Sequence, residues 1–237
     1  MLDADRTSDD LRPDFRHVES WVFDLDNTLY PADSGLFAQI DARMTVFVQN
    51  LLGVDAEAAR SLQKAYYREH GTTLNGLMHL HGVEPDSYLS FVHDIDLSAL
   101  ARDEALGRAL ARLPGRRFIF TNGCRDHAAR ILERLDLARY FNEIWDIRTI
   151  AFRPKPDPGS YRRVLDDARI DAARAAMFED AARNLVPAHG QGMTTVWLRN
   201  DSPWSKQGPE YPVASPAHID YETGDLPQFL NTIRISQ

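Results

Sequence analysis

Cysteine is nearly absent. The chain of 237 residues holds one, Cys124, so no disulfide can form within it. That count fits a reducing compartment. No stretch is apolar and long enough to span a bilayer, and the polar, densely charged residues 1–16 lack the apolar centre of a signal peptide. The expectation is a cytoplasmic protein with no membrane partner, whose first residues form a mobile arm. Lys and Arg number 27 against 35 Asp and Glu, they are scattered, and the formal net charge is −8. No basic patch is on offer to a nucleic acid polymer. A small anion is still admissible, because the field at a site outweighs the total charge. Internal repeats and low-complexity tracts are missing as well, and nothing specifies an oligomeric state. What remains is 43% hydrophobic and 26% charged, the composition of an ordinary globular protein. Its length suits one large domain or a core with a smaller insert.

Against this plain background one stretch stands out: Trp21-Val22-Phe23-Asp24-Leu25-Asp26-Asn27-Thr28-Leu29-Tyr30-Pro31. An apolar run of this kind is a buried parallel strand. It ends in two aspartates separated by one residue. Ligands bind at the C-terminal ends of strands in open α/β sheets, and Asp24 would stand there with Asp26 on the following turn. Carboxylates this close repel, so one holds its proton unless a cation lies between them. The pair therefore reads as an acid/base couple or a divalent metal site, against the blander alternative of an Asp-rich turn.

After Pro31 the period becomes helical. Leu36, Phe37, Ile40, Met44, Phe47, Val48 and Leu51 form a stripe closed by Gly53. Asp55 caps a second helix ending near His70-Gly71, a third covers Leu74 to Leu80, and a fourth starts at Pro85-Asp86. The block carries no strand signal. From Asp103 onward helices alternate with strands at Arg117–Thr121, Glu143–Ile147, Ala175–Phe178 and Thr194–Leu198. That alternation predicts a doubly wound parallel sheet. Asn200 to Pro216, rich in Pro, Ser and Gly, reads as loop, and a last short helix is placed near Leu226 to Thr232.

The strand ends share a chemical theme: Asp24 and Asp26, Thr121-Asn122-Gly123, Lys155 in a proline-rich loop, and Glu179-Asp180. A carboxylate can attack phosphorus. A Thr hydroxyl and an Asn backbone N–H near a helix N-terminus suit a phosphoryl oxygen. Lys155 would neutralise its charge, and clustered carboxylates favour Mg²⁺ over Zn²⁺. Singly, each has a dull explanation as a turn, a solvated charge or a helix start.

These four motifs, Asp24-Leu25-Asp26-Asn27-Thr28-Leu29, Phe120-Thr121-Asn122-Gly123, Pro154-Lys155-Pro156 and Phe178-Glu179-Asp180, resemble those of the haloacid dehalogenase-like hydrolase superfamily. The run from Leu29-Tyr30-Pro31 through Gly71-Thr72-Thr73-Leu74-Asn75-Gly76-Leu77 resembles its pyrimidine 5′-nucleotidase branch. The resemblance implies an α/β fold: a doubly wound, Rossmann-like parallel-sheet core over residues 1–31 and 102–237, with a small helical cap, 32–101, inserted after the first strand. It implies a Mg²⁺-dependent phosphomonoesterase for a small phosphate ester, foremost a pyrimidine nucleoside 5′-monophosphate. Asp24 would be the nucleophile that forms an aspartyl-phosphate, and Asp26 the general acid/base. Thr121, Asn122 and Lys155 would hold phosphate. Mg²⁺ would sit on Asp24, the backbone carbonyl of Asp26, Asp180 and, directly or through water, Glu179. To protonate an alkoxide Asp26 must arrive neutral, and burial beside Asp24 is expected to raise its pKa.

The insert leaves and rejoins the core at one edge, so its second connection is expected to face the phosphate site. Tyr30, Thr73 and Asn75 are the candidates for reading the rest of the substrate. His79 and His81 are too closely spaced for a zinc pair on one helix face. Cys124 reads as a small filler at a helix start. The competing functions are a phosphatase or phosphomutase for another metabolite such as a sugar phosphate, a haloacid dehalogenase, and a non-catalytic binding module. Dehalogenation needs neither Mg²⁺ nor an acid at position 26.

Overall fold

A computed structural model of the chain describes residues 12–202, 205 and 217–236. Most of the expected N-terminal arm, and the loop from 206 to 216, lie outside the described residues.

The sheet grows from β1 (Ser20–Phe23), whose four residues are all buried. It pairs in parallel with β2 (Arg116–Phe120) on one side and β4 (Ala175–Glu179) on the other. With β3 (Glu143–Trp145), β5 (Thr194–Leu198) and β6 (Tyr221–Thr223), the six-stranded order is β3-β2-β1-β4-β5-β6, every pair parallel. A strand buried on both faces has no polar side to alternate, which is why the central strands read as unbroken apolar runs. Register places Phe23 between Ile119 and Phe178. The residues just beyond, Asp24, Thr121 and Asp180, therefore emerge together at one edge. β6 is not anticipated from the sequence; it is three residues long, half exposed and at the sheet edge, too short to show a period.

The chain covers this sheet with α5 (Glu104–Arg112), α6 (Arg125–Arg134), α7 (Pro158–Asp167), α8 (Ala182–Gly190) and α9 (Leu226–Thr232). Trp21, fully buried, donates its indole N–H to the Pro114 carbonyl at 2.7 Å and stacks on Phe15. Both polar and apolar parts of that ring are thereby satisfied.

Between β1 and α5 stand four helices: α1 (Leu36–Leu52), α2 (Ala56–His70), α3 (Thr73–His81) and α4 (Pro85–Val92). Their ends follow local chemistry. Gly53 takes the left-handed conformation that closes α1, the Asp55 carboxylate accepts from the Ala58 N–H, and the Thr72 hydroxyl accepts from Asn75 N–H. α2 and α3 touch at Gly76, where a Cβ would stand 2.4 Å from Tyr66 Cβ. No helix among the described residues is long and apolar enough to cross a membrane.

Gly76→Ala would drive a methyl group into Tyr66, and overpacking of this kind destabilises by about 1–3 kcal/mol. Denaturant unfolding of the variant should show a loss in that range. A variant as stable as the parent would mean that α2 and α3 do not approach this closely.

Candidate active site

Asp24 leaves β1 with its N–H bonded to the Phe178 carbonyl at 2.9 Å, so the sheet itself fixes the start of the site. One carboxylate oxygen accepts from Lys155 Nζ at 2.6 Å and the other from the Thr28 hydroxyl at 3.0 Å. Lys155 is buried, and its ammonium also donates to Glu179 Oε2 at 2.7 Å and to the Phe120 carbonyl at 2.8 Å. All three of its protons thus have acceptors on three different strands. Burial alone would lower the lysine pKa, but the Asp24 and Glu179 carboxylates outweigh it and hold the group charged.

The carboxylates pay no such dividend to one another. Burial raises Asp24 to about 6 against the pull of Lys155, with Asp180 and Asp26 adding to the rise. Glu179 is pushed well up by burial and by Asp24, and Asp180 is pushed up by burial despite its hydrogen bonds from Ser205 and Asn200. Asp24, Glu179 and Asp180 each present an oxygen, all within 4.8 Å of one another. Lys155 offers this trio a single positive charge. Hard oxygen donors in excess of local cation fit a divalent ion of the Mg²⁺ type.

Asp26 behaves differently from expectation. Burial does press its pKa upward, but hydrogen bonds from His127 and Tyr30, with the His93 ring beyond, bring it below the ordinary carboxylate value. His127 Nε2 lies 2.9 Å and the Tyr30 hydroxyl 2.6 Å from Asp26 Oδ1. The expected rise is therefore reversed by donors that the spacing of the two aspartates does not announce. Asn27 follows with φ 61°, a left-handed residue that Asn tolerates, and turns the chain away from the sheet.

The Thr121 hydroxyl accepts the Gly123 N–H at 2.9 Å. The Asn122 side chain clasps the backbone of Lys155, accepting from its N–H at 2.8 Å and donating to its carbonyl at 3.1 Å. Asn122 thereby locks the lysine loop to the end of β2. One cavity of about 180 Å³ opens onto Asp24, Asp26, Thr121, Lys155 and Asp180 and continues between the helices to Gln63 and Tyr88. A single water needs only about 10–15 Å³, so the space suits a small metabolite.

Of the three residues expected to read a substrate, Thr73 lines this cavity, beside Thr72, while Tyr30 and Asn75 do not. Tyr30 spends its hydroxyl on Asp26. Asn75 donates to the carbonyls of His70 at 3.3 Å and Phe152 at 2.9 Å, tying the connection to the loop before Lys155. Residues not singled out from the sequence complete the walls. Asp41 is buried and held by Lys64 at 2.6 Å and Gln63 at 2.7 Å. The buried Tyr88 hydroxyl has no hydrogen-bond partner among the described residues. A carboxylate inside the apolar stripe of α1 was the available signal for the first. Tyr88 looks like core at sequence level.

A model of the haloacid dehalogenase-like hydrolase family matches residues 21–190, most of the chain and all four motifs. The chain belongs to that family. Phosphate metabolism protein 8 of Saccharomyces cerevisiae is 29% identical over 195 residues, 74% of this chain. The match spans 60% of the yeast protein's length. Among solved structures, CbbY from Rhodobacter sphaeroides, in complex with phosphate, superposes with TM-score 0.62 at 15% identity, covering 89% of this chain and 96% of that one. A haloacid dehalogenase-like phosphatase from Thermococcus onnurineus gives TM-score 0.58 at 18% identity, covering 92% and 100%. The L-2-haloacid dehalogenase from Xanthobacter autotrophicus gives 0.53 at 17%, covering 90% and 98%. At these identities the likeness shows the shared fold. The chain's buried cluster of Asp24, Glu179 and Asp180 could hold a metal ion.

The raised Asp24 carboxyl has a consequence for the metal-free hydrolase. A carboxyl whose folded pKa lies above its unfolded value contributes stability at low pH that is lost as pH rises through the folded value. For Asp24, at about 6 against 3.8, that window runs from about pH 4 to pH 6. Asp24→Asn removes the penalty. In EDTA, its unfolding free energy relative to the parent should improve by about 2 kcal/mol between pH 4.5 and pH 7. A difference independent of pH would show that Asp24 is not a strained carboxylate.

Proposed function

We propose that this hydrolase is a Mg²⁺-dependent phosphomonoesterase that works through an aspartyl-phosphate on Asp24. Its proposed substrate class is the nucleoside 5′-monophosphates, pyrimidine nucleotides foremost. The observation that carries the reading is Asp24 at the end of β1, held by the Lys155 ammonium at 2.6 Å, with Asp26 on the same turn and both opening into one cavity.

An Asp24 oxygen attacks phosphorus as the bond to the ester oxygen breaks, and Asp26 gives that oxygen its proton. Water then attacks the same phosphorus, Asp26 as carboxylate takes the water's proton, and the bond to Asp24 breaks to release phosphate. The Thr121 hydroxyl can donate to a phosphoryl oxygen, and the Lys155 ammonium, its protons held by Asp24, Glu179 and the Phe120 carbonyl, meets the developing charge through its field. Asp24, the Asp26 carbonyl and Asp180 would hold Mg²⁺. It would neutralise charge on the phosphoryl group. Glu179 uses one oxygen on Lys155 and the other on the Ala181 N–H at 3.2 Å, so we assign it chiefly to keeping the lysine in place. A bound phosphate dianion brings negative charge up to Asp26, which favours its neutral form. That supplies the upward shift that the protein's own groups do not.

We assign residues 32–101 as a cap whose α1, α2 and α4 close the cavity over the sheet edge; Ile40, Gln63 and Tyr88 share its wall with Asp24. Substitution at a carbon–halogen bond expels halide and leaves an acid at position 26 idle, which favours phosphate over haloacid chemistry. The yeast relative's name, a phosphate metabolism protein, agrees in direction.

Turnover of p-nitrophenyl phosphate should require Mg²⁺, stop in EDTA and fall by at least about 10³-fold in Asp24→Asn. A phosphate-release screen should then rank nucleoside 5′-monophosphates above sugar phosphates and phospho-amino acids. Equal rates across the three classes would contradict the nucleotide assignment alone. Activity that survives Asp24→Asn would contradict the whole reading.

A further inference from the structure

Two donors converge on one atom. His127 Nε2 and the Tyr30 hydroxyl both lie within hydrogen-bond distance of Asp26 Oδ1, at 2.9 and 2.6 Å. Asp26 Oδ2 has no hydrogen bond from any described residue. It lies beside Gly123, where a Cβ would stand 3.7 Å away, on the Thr121–Gly123 turn that lines the cavity. The two oxygens of this carboxyl are therefore not equivalent. An oxygen already accepting two hydrogen bonds has little use for a proton of its own, so the neutral acid carries its hydrogen on Oδ2, beside the turn that lines the cavity.

The clamp is itself held. The His127 ring is buried on α6 and stacks on His93 with centroids 4.2 Å apart and planes 13° from parallel. His93 closes the C-terminal end of α4, its Nδ1 lies 3.1 Å from Cys124 Sγ, and Arg130 donates to its carbonyl at 3.1 Å. The end of α4, the last of the four helices between β1 and α5, thus braces the ring that braces Asp26.

We propose that His127, backed by His93 and joined by Tyr30, is a positioning residue that fixes Asp26 so that its Oδ2 delivers the proton to the leaving group. The inference rests on the reading of Asp26 as general acid. It separates His127 from an ordinary buried histidine by a prediction about leaving groups. An alkoxide must be protonated as it departs, whereas p-nitrophenolate is stable without a proton. Loss of the clamp therefore weighs on alkyl esters selectively.

The readout is the ratio of kcat/KM on an alkyl phosphate (the best nucleoside 5′-monophosphate from the screen) to kcat/KM on p-nitrophenyl phosphate, because kcat/KM ends at the acyl phosphate and leaves out its hydrolysis, which is common to both. Correctly placed general acids contribute about 10²–10⁴-fold, so His127→Leu should lower this ratio about 10- to 100-fold. His127→Gln, which keeps an N–H donor, should restore most of it. Tyr30→Phe, which deletes one oxygen, should lower the ratio in the same direction and carries the test if His127→Leu does not fold. Asp26→Asn calibrates the assay. If Asp26→Asn leaves the ratio intact, the acid assignment fails and the inference with it. If Asp26→Asn lowers the ratio but the His127 and Tyr30 variants do not, or if His127→Leu depresses both substrates equally, the positioning role is overturned.

Discussion

A buried ammonium ion sits where three strands end, and its three hydrogen bonds define the geometry around it. Lys155 reaches Asp24 after β1, the Phe120 carbonyl at the end of β2 and Glu179 at the end of β4. Removing a charge from water is expensive, and such a group persists only where every proton is met. Here the condition is satisfied by elements far apart in sequence, so the lysine ties the central strands at the edge where chemistry is possible. The remaining imbalance is as informative as the pairing. Asp24, Glu179 and Asp180 crowd together with a single positive charge, and burial pushes all three towards their neutral forms. A site held in this condition is one that a divalent cation relieves.

Around that centre the structure divides labour between backbone and side chains. The sheet register sets Asp24, Thr121 and Asp180 side by side. Loops are then trimmed onto it: Asn122 grips the Lys155 backbone, Asn75 grips the Phe152 carbonyl, and Thr28 turns back to Asp24. Each of these polar side chains uses its capacity to hold a neighbour in place, leaving Asp24, Lys155 and Thr121 to face the cavity. Rigid placement of this sort lets charge and position act on a reacting group without rearrangement at the moment of reaction.

The sheet and the helical block were legible because both obey simple periods. Apolar runs that stop at Asp24, Thr121 and Glu179 mark strand ends, and Gly53, Asp55 and Pro85 punctuate the helices at the positions that the structure shows. Convergence of the site residues followed from parallel topology alone. What was hidden depends on where side chains point. Tyr30 and Asn75 have the right chemistry to meet a ligand, yet one bonds Asp26 and the other bonds backbone carbonyls. His127 lies among Arg and Glu on a polar-looking helix, although its spacing to Ala128, Ile131 and Leu132 places it on the buried side. The direction of the Asp26 pKa turned on that histidine, so a reading from the two aspartates alone came out with the wrong sign. β6 and Tyr88 were missed for simpler reasons: one is too short to pattern, and the other is indistinguishable from core until the cavity beside it is seen.

The central claim is that the carboxylate of residue 24 becomes an acyl phosphate during turnover, and chemical trapping addresses it most directly. Enzyme mixed with substrate and quenched in acid during the steady state can be reduced with tritiated borohydride, which converts an acyl phosphate to an alcohol. The account predicts a stoichiometric label on the peptide containing Asp24, dependent on substrate and absent from Asp24→Asn. Label on Asp26, Glu179 or Asp180, or none anywhere while phosphate is being released, would contradict it.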